Sequence, residues 1–233
     1  MKNQITCENC NSENDFYSFN CKNCGALLRD KYPNIDLFTT IWHLIETPTN
    51  ALKKVIYAEH KNYLTILAFL LILKLIFTSF FLQSLFIDPI DYKNYLSLNY
   101  GIGFICFIAL ILLVPLIIKS FLKTNSVSTR YKDNIALFVY SQIPLILFLF
   151  IILPIEFAIF GKYWLFSNPS PFMIKETAAY AFSFMEVLAF IWSFLLFGIS
   201  VKIQSNSKKF AILNTLFYVF ILLGFFFFTP YLV

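Results

Sequence analysis

Residues 63–86 read YLTILAFLLILKLIFTSFFLQSLF, an apolar run interrupted by a single charge, Lys74. Coiled as an α-helix, the run is roughly 36 Å long, more than the ~30 Å hydrocarbon core of a bilayer. Four more blocks of this kind follow, at 101–122, 135–160, 178–201 and 209–230. They are apolar on every side and carry no period-2 alternation, which predicts helices rather than the strands of a barrel. Turn and breaker residues mark the joints: Asp88-Pro89, Lys123 to Asp133, Gly161 to Pro171, and Gln204 to Ser207. The expected fold is an all-α membrane protein. Five transmembrane helices occupy 63–233, a small module occupies 1–30 and an amphipathic linker occupies 31–62.

Composition agrees with that class. The 233 residues are 59% hydrophobic and only 13% charged, with a mean hydropathy of +0.71. A soluble domain is close to half apolar and about 25% charged. The surplus exceeds what one water-soluble core can bury, so it is expected to face lipid. The first 30 residues are polar and hold no apolar h-region, so no secretory signal peptide is expected.

The basic residues set an orientation. Residues 1–62 carry Lys2, Lys22, Arg29, Lys31, Lys53, Lys54 and Lys61; the second loop adds Lys119, Lys123, Arg130 and Lys132; the fourth adds Lys202, Lys208 and Lys209. These 14 lie on one side, against Lys93, Lys162 and Lys175 on the other. The bias predicts a cytoplasmic N-terminus and an external C-terminal Pro230–Val233.

Four of the five cysteines precede Gly25, as Cys7-x2-Cys10 and Cys21-x2-Cys24 separated by ten residues. Two such pairs supply four thiolates, enough for tetrahedral zinc, and leave no open position for water. The expected cofactor is a structural zinc ion held by Cys7, Cys10, Cys21 and Cys24. Thiols paired this closely, without an export signal, indicate a reducing compartment rather than disulfides. Gly25 and Asn11 follow the second cysteine of each pair, where a knuckle turn favours positive φ. Phe16, Tyr17 and Phe19 are expected to cover one side of the module, and the metal to provide most of its folding energy. Lys2, Lys22 and Arg29 are balanced by Glu8, Glu13 and Asp15, so no nucleic-acid surface is expected.

In the linker, Leu37, Phe38, Ile41, Trp42, Leu44 and Ile45 recur at helical spacing, with Asp36, Thr39, Thr40 and Glu46 off the stripe. Thr47-Pro48 reads as an N-cap followed by proline at the first helical position. A second helix then carries Ala51, Leu52, Val55 and Ile56, with Lys53 and Lys54 on its polar side. Two placements are open: both helices lie in the cytoplasmic interface with Trp42 at headgroup depth, or both pack on the inner face of the bundle.

Lys74, Glu186 and Glu156 fall within the spans. A charge at bilayer depth costs about 3 kcal/mol and calls for a partner. Counted from the cytoplasmic ends, Lys74 is about 17 Å deep and Glu186 about 22 Å, which predicts a Lys74–Glu186 pair. It serves either to fix helix register or to form an ion or proton site. Glu156 lies near the outer end, where it can snorkel, and receives no role. Pro115, Pro144 and Pro154 are expected to kink their helices, and Cys106 to be a packing residue.

The only histidines, His43 and His60, lie in the linker, so no Ser/His/Asp set can be assembled. There is no HExxH, P-loop or GxGxxG motif, and no inverted repeat. An enzyme is not expected.

The five-span portion resembles the Yip family, the Ypt/Rab-interacting membrane proteins and their prokaryotic relatives. The resemblance covers about residues 36–230. It rests on Trp42 to Pro48, on Ala136-x3-Tyr140-x3-Pro144, and on Trp192-x5-Gly198 followed by Lys202 and Lys208-Lys209. The N-terminal piece is similar to short zinc ribbons that precede many prokaryotic membrane domains, although its first knuckle lacks the usual glycine. For prokaryotic members the resemblance implies a membrane domain and brings no catalytic residues; the expected role is that of a plasma-membrane scaffold or recruitment protein. The expected partners are the bilayer and proteins reached through the N-terminal region, with further copies of the chain an open alternative. The rival expectation is a small-solute or ion transport protein using Lys74 and Glu186.

Overall fold

The structure is a computed structural model and describes residues 4–86, 96–166 and 169–228. The chain begins with two knuckle hairpins. In the first, β1 (Gln4–Thr6) pairs antiparallel with β2 (Glu13–Asp15), Ile5 opposite Asn14. The second is closed by a single bridge between Asn20 and Leu27. Asn11 and Gly25 adopt φ of 55° and 72°, as their positions after each cysteine pair predict.

Helices α1 (Leu37–Glu46) and α2 (Pro48–Tyr57) follow. The Asp36 carboxylate caps α1 by accepting from Phe38 N at 3.2 Å. Thr47 occupies the N-cap position of α2, but its side chain makes no capping bond. One residue joins the two helices: Thr47 N closes α1 on His43 O at 2.8 Å while Thr47 O accepts from Ala51 N at 3.1 Å.

The rest is α3 (Leu64–Phe86), α4 (Leu96–Thr124), α5 (Tyr131–Ser141), α6 (Ile143–Phe160), α7 (Lys162–Phe166), α8 (Pro171–Ile174), α9 (Glu176–Ser205) and α10 (Lys208–Phe228). Five stretches are long and apolar enough to cross a membrane: Leu64–Phe81, Gly101–Thr124, Tyr131–Phe160, Glu176–Ser205 and Lys208–Phe227. They match the expected spans to within a few residues where those spans are described. The Asp88-Pro89 turn, Lys2, Lys93 and the C-terminal Pro230–Val233 lie outside the described residues.

Helix α9 is the spine, packing against α10, α6, α5, α8 and α2, while α3 joins α4, α5 and α6. Large apolar side chains also point outward, among them Ile66, Leu112, Phe150, Leu195 and Phe220. Helices apolar on both faces suit a lipid surround.

Only one of the three span prolines breaks its helix. Pro144 cannot donate to Tyr140 O, and the chain divides into α5 and α6 at Gln142. Buried polar groups at the break make local bonds instead: Ser141 Oγ donates to Phe138 O at 2.6 Å and Gln142 Nε2 to Ser141 Oγ at 3.0 Å. The Tyr218 hydroxyl of α10 donates to Gln142 Oε1 at 3.3 Å. Pro115 and Pro154 have no such cluster beside them in sequence and remain inside α4 and α6.

The α9–α10 joint is a tight turn with Asn206 at φ 52°. Just above it, a Cβ on Gly198 would lie 3.0 Å from Thr215 Oγ1, so the two helices meet where α9 has no side chain. Gly198→Leu is expected to overpack this crossing and to cost about 1–3 kcal/mol of stability, read as a lower unfolding temperature in detergent. Unchanged unfolding in Gly198→Leu would show that the crossing can open freely.

Candidate metal centre and buried ion pairs

The four cysteine sulfurs converge as the spacing predicts. All lie within 4.8 Å of one another, with Cys7–Cys24 and Cys10–Cys21 each at 3.5 Å. Zinc with Zn–S bonds of about 2.3 Å needs sulfurs roughly 3.8 Å apart, so the set fits a tetrahedral ion. The same separations are far too long for disulfides, and the cysteines are free. Among the described residues this is the one cluster able to ligate a metal with three or more groups.

Two further residues tune the sulfurs. The Ser12 hydroxyl lies 3.0 Å from Cys10 Sγ and 3.1 Å from Cys21 Sγ. Buried Asn14 donates from Nδ2 to Cys21 Sγ at 3.5 Å, and its Oδ1 accepts from Lys22 N at 2.9 Å. Hydrogen bonding from Ser12 first, then from the Cys24 and Asn23 amides, lowers the Cys21 thiol to about 5. Ser12 also lowers Cys10. Both are thus biased toward thiolate, the ligating form. Ser12 and Asn14 were not singled out from the sequence, because a polar residue between ligands carries no signature of its own.

The module is docked rather than tethered, and here the expectation for its aromatics needs correcting. Phe16 and Tyr17 do not simply lid the cysteine cluster. Phe16 is buried against Tyr57 of α2, with ring centroids 5.2 Å apart. The Tyr17 hydroxyl accepts from Arg130 N at 3.3 Å, and the Arg130 guanidinium stacks 4.6 Å from the Tyr17 ring centroid. Burial, then the neighbouring Asp133 carboxylate, pushes the Tyr17 phenol well above its usual range, so it stays neutral. Arg29 lies between the rings of Phe19 and Tyr57, at 3.7 and 4.3 Å from their centroids. Apolar area on so small a module gains more by covering α2 than by covering its own surface.

Beneath the docked module lies a buried cation with a structural role. Lys61 Nζ donates to the carbonyls of Val55, of Ile56 at 2.9 Å and of Ala58 at 2.7 Å, closing the C-terminus of α2. It also pairs with Asp133 Oδ1 at 3.2 Å. In sequence Lys61 is one more flanking lysine of the positive bias; nothing distinguishes it from Lys53 or Lys54.

The two linker helices differ in how much of their apolar face they bury. Ala51, Leu52, Val55 and Ile56 of α2 are buried against the bundle. Helix α1 buries Leu44 and, against expectation, Thr40, whose hydroxyl is satisfied by Asp36 O at 2.6 Å. Its Phe38, Trp42 and Ile45 point outward and are exposed.

Within the spans, Lys74 Nζ of α3 donates to Glu186 Oε1 of α9, the pair inferred from depth alone. Both are almost wholly buried. Glu156 does not snorkel: it is 1% exposed, and its charged neighbours are Lys74 and Glu186. The α7 turn explains this, because buried Trp164 packs on Phe77 with centroids 5.4 Å apart and closes the bundle over Glu156. Cys106 is half-buried on α4, and His43 and His60 lie outside both sites. No family model, no curated protein and no solved structure matches the chain.

Proposed function

We propose that the protein is an integral membrane recruitment scaffold of Yip type, with five spans, a cytoplasmic N-terminal module and a structural zinc ion. The ion is held by Cys7, Cys10, Cys21 and Cys24 and fixes the module's shape without taking part in chemistry.

The observation that carries this reading is a composite groove of about 470 Å³ where the docked module meets the linker helices. Arg29 and Asp30 come from the end of the module, Tyr32 from the linker, His43 from α1, and Lys53, Lys54 and Tyr57 from α2, three basic side chains against one carboxylate. A basic groove with aromatic walls suits an acidic segment of a partner protein. The module contributes Arg29 to the groove wall, which would link metal binding to recruitment. Beside it, the outward Phe38, Trp42 and Ile45 suit burial at headgroup depth and would hold the groove at the membrane surface.

The test compares proteins copurified from membranes with wild type and with Cys7→Ser/Cys10→Ser, with zinc measured on both. Joint loss of zinc and of a specific partner is expected. Retention of every partner after zinc loss would overturn the recruitment role. For α1, Trp42 emission in a Trp164→Phe/Trp192→Phe background is expected to shift to the blue when liposomes are added. A spectrum that stays water-like would remove α1 from the interface.

A second reading, ion transport, is favoured by one observation. Helix α9 turns Glu186, Ser193, Ser200 and Gln204 inward, all buried. That polar stripe extends about 27 Å along the helix.

A further inference from the structure

The geometry points to a proton-binding site formed by Glu156, Glu186 and Lys74 in the outer half of the bundle, with one proton held on the carboxyl pair. This goes beyond the recruitment reading and does not depend on it.

Three helices bring the groups together: Glu156 from α6, Glu186 from α9 and Lys74 from α3, at 1%, 3% and 1% exposure. One ammonium cannot neutralise two carboxylates. Lys74 is bonded to Glu186, which leaves Glu156 without a cation of its own. Two carboxyls that share a buried site do not both ionise, and a charge without a counter-charge is not retained in an apolar interior. The proton therefore resides chiefly on Glu156.

Unused polar atoms surround it. Glu156 Oε1, Glu186 Oε2 and the Trp164 indole Nε1 are buried and meet no partner at full hydrogen-bond geometry, and the indole is a neighbour of Glu156. Open donors and acceptors at this point are what a proton that comes and goes requires.

Among the described residues the neighbouring elements supply no second buried cation: Lys162 of α7, Lys175 at the end of α8 and Lys132 of α5 are all exposed. Helix α3 adds Thr78 one turn from Lys74, α7 adds Trp164, and α8 has no ionisable side chain. Helix α9 adds Ser193 two turns from Glu186, and α4 adds Cys106. From α5 come the buried Tyr140 hydroxyl and, at its far start, Asp133, already paired with Lys61.

Difference infrared spectroscopy on the whole protein in neutral-lipid bilayers tests the assignment as pH is stepped across neutrality. Wild type is expected to show the carbonyl stretch of a protonated carboxyl at neutral pH, downshifted in deuterium oxide and lost at high pH. Glu156→Gln should remove it. Lys74→Met should enlarge it about twofold as both carboxyls take up protons. Absence of the band in wild type, or its persistence in Glu156→Gln, overturns the proposal. Suppression of the band by sodium at fixed pH also overturns it, in favour of a metal-cation site. Should Glu156→Gln fail to fold, the deuterium shift and sodium insensitivity of the wild-type band still decide.

Discussion

Stripping the metal from the four-cysteine centre is expected to unfold residues 4–30 while the five-helix bundle stays folded. The module's own secondary structure is two three-residue strands and one bridge. Such a piece cannot fold on apolar burial alone, so a bound ion would contribute most of its folding free energy. Cys7 and Cys21 are both buried, and without an ion a Cys21 thiolate has no counter-charge while the Cys7 thiol, pushed up to about 11, stays protonated. Phe16, Tyr17 and Arg29 depend on the same scaffold, so undocking follows unfolding. Limited proteolysis reads the effect. Cleavage within residues 4–30 should rise on the order of a hundredfold after chelation, with the bundle fragment resistant. Metal analysis should return one zinc per chain beforehand. A module equally resistant after complete metal loss would show that docking alone folds it.

The second large effect is expected at Lys74. Replacing it with Met leaves Glu186 beside Glu156 with no cation, and breaking a buried pair from one side costs about 3–5 kcal/mol. Glu186→Gln should cost less, because Lys74 still has Glu156 within reach. The reversed pair Lys74→Glu/Glu186→Lys should recover most of the loss of either single reversal. Thermal unfolding in detergent measures all four, with a fall of roughly 10 °C for Lys74→Met. If the double reversal is no better than the worse single one, the pair does not hold α3 to α9.

What could be read in advance divides along a physical line. The five long apolar helices were legible because their runs match the length a bilayer would demand, and the cysteine cluster because two CxxC pairs match a metal-ligand spacing. Lys74 and Glu186 could be matched because helical rise converts residue number into depth. Positions decided by tertiary packing were not legible. Phe16 and Tyr17 read as a lid because nothing in residues 1–30 reveals that α2 will offer Tyr57. Thr40 read as solvent-facing because its polarity, not its bond to Asp36, shows in the sequence. Glu156 read as an interfacial acid because α7, only five residues long, leaves no periodic signal for the turn that covers it. The break at Gln142 differs from the intact helices at Pro115 and Pro154 through a local polar cluster. That distinction can be seen only once Ser141 and Tyr218 are placed.

The Lys74–Glu186 pair also imposes a schedule on biosynthesis. The two residues are 112 positions apart. At about 5–20 residues per second, the lysine emerges from the ribosome roughly 6–20 s before its partner. In a bilayer the first candidate span would during that interval carry an ammonium at mid-depth with nothing to offset it, at a cost of about 3 kcal/mol. The remaining leucine, isoleucine and phenylalanine side chains of that span keep its mean hydropathy at 2.4, enough to hold it in place. Chains stalled before Glu186 should therefore be the form that membrane quality-control proteases recognise, through an exposed positive charge that the finished protein hides.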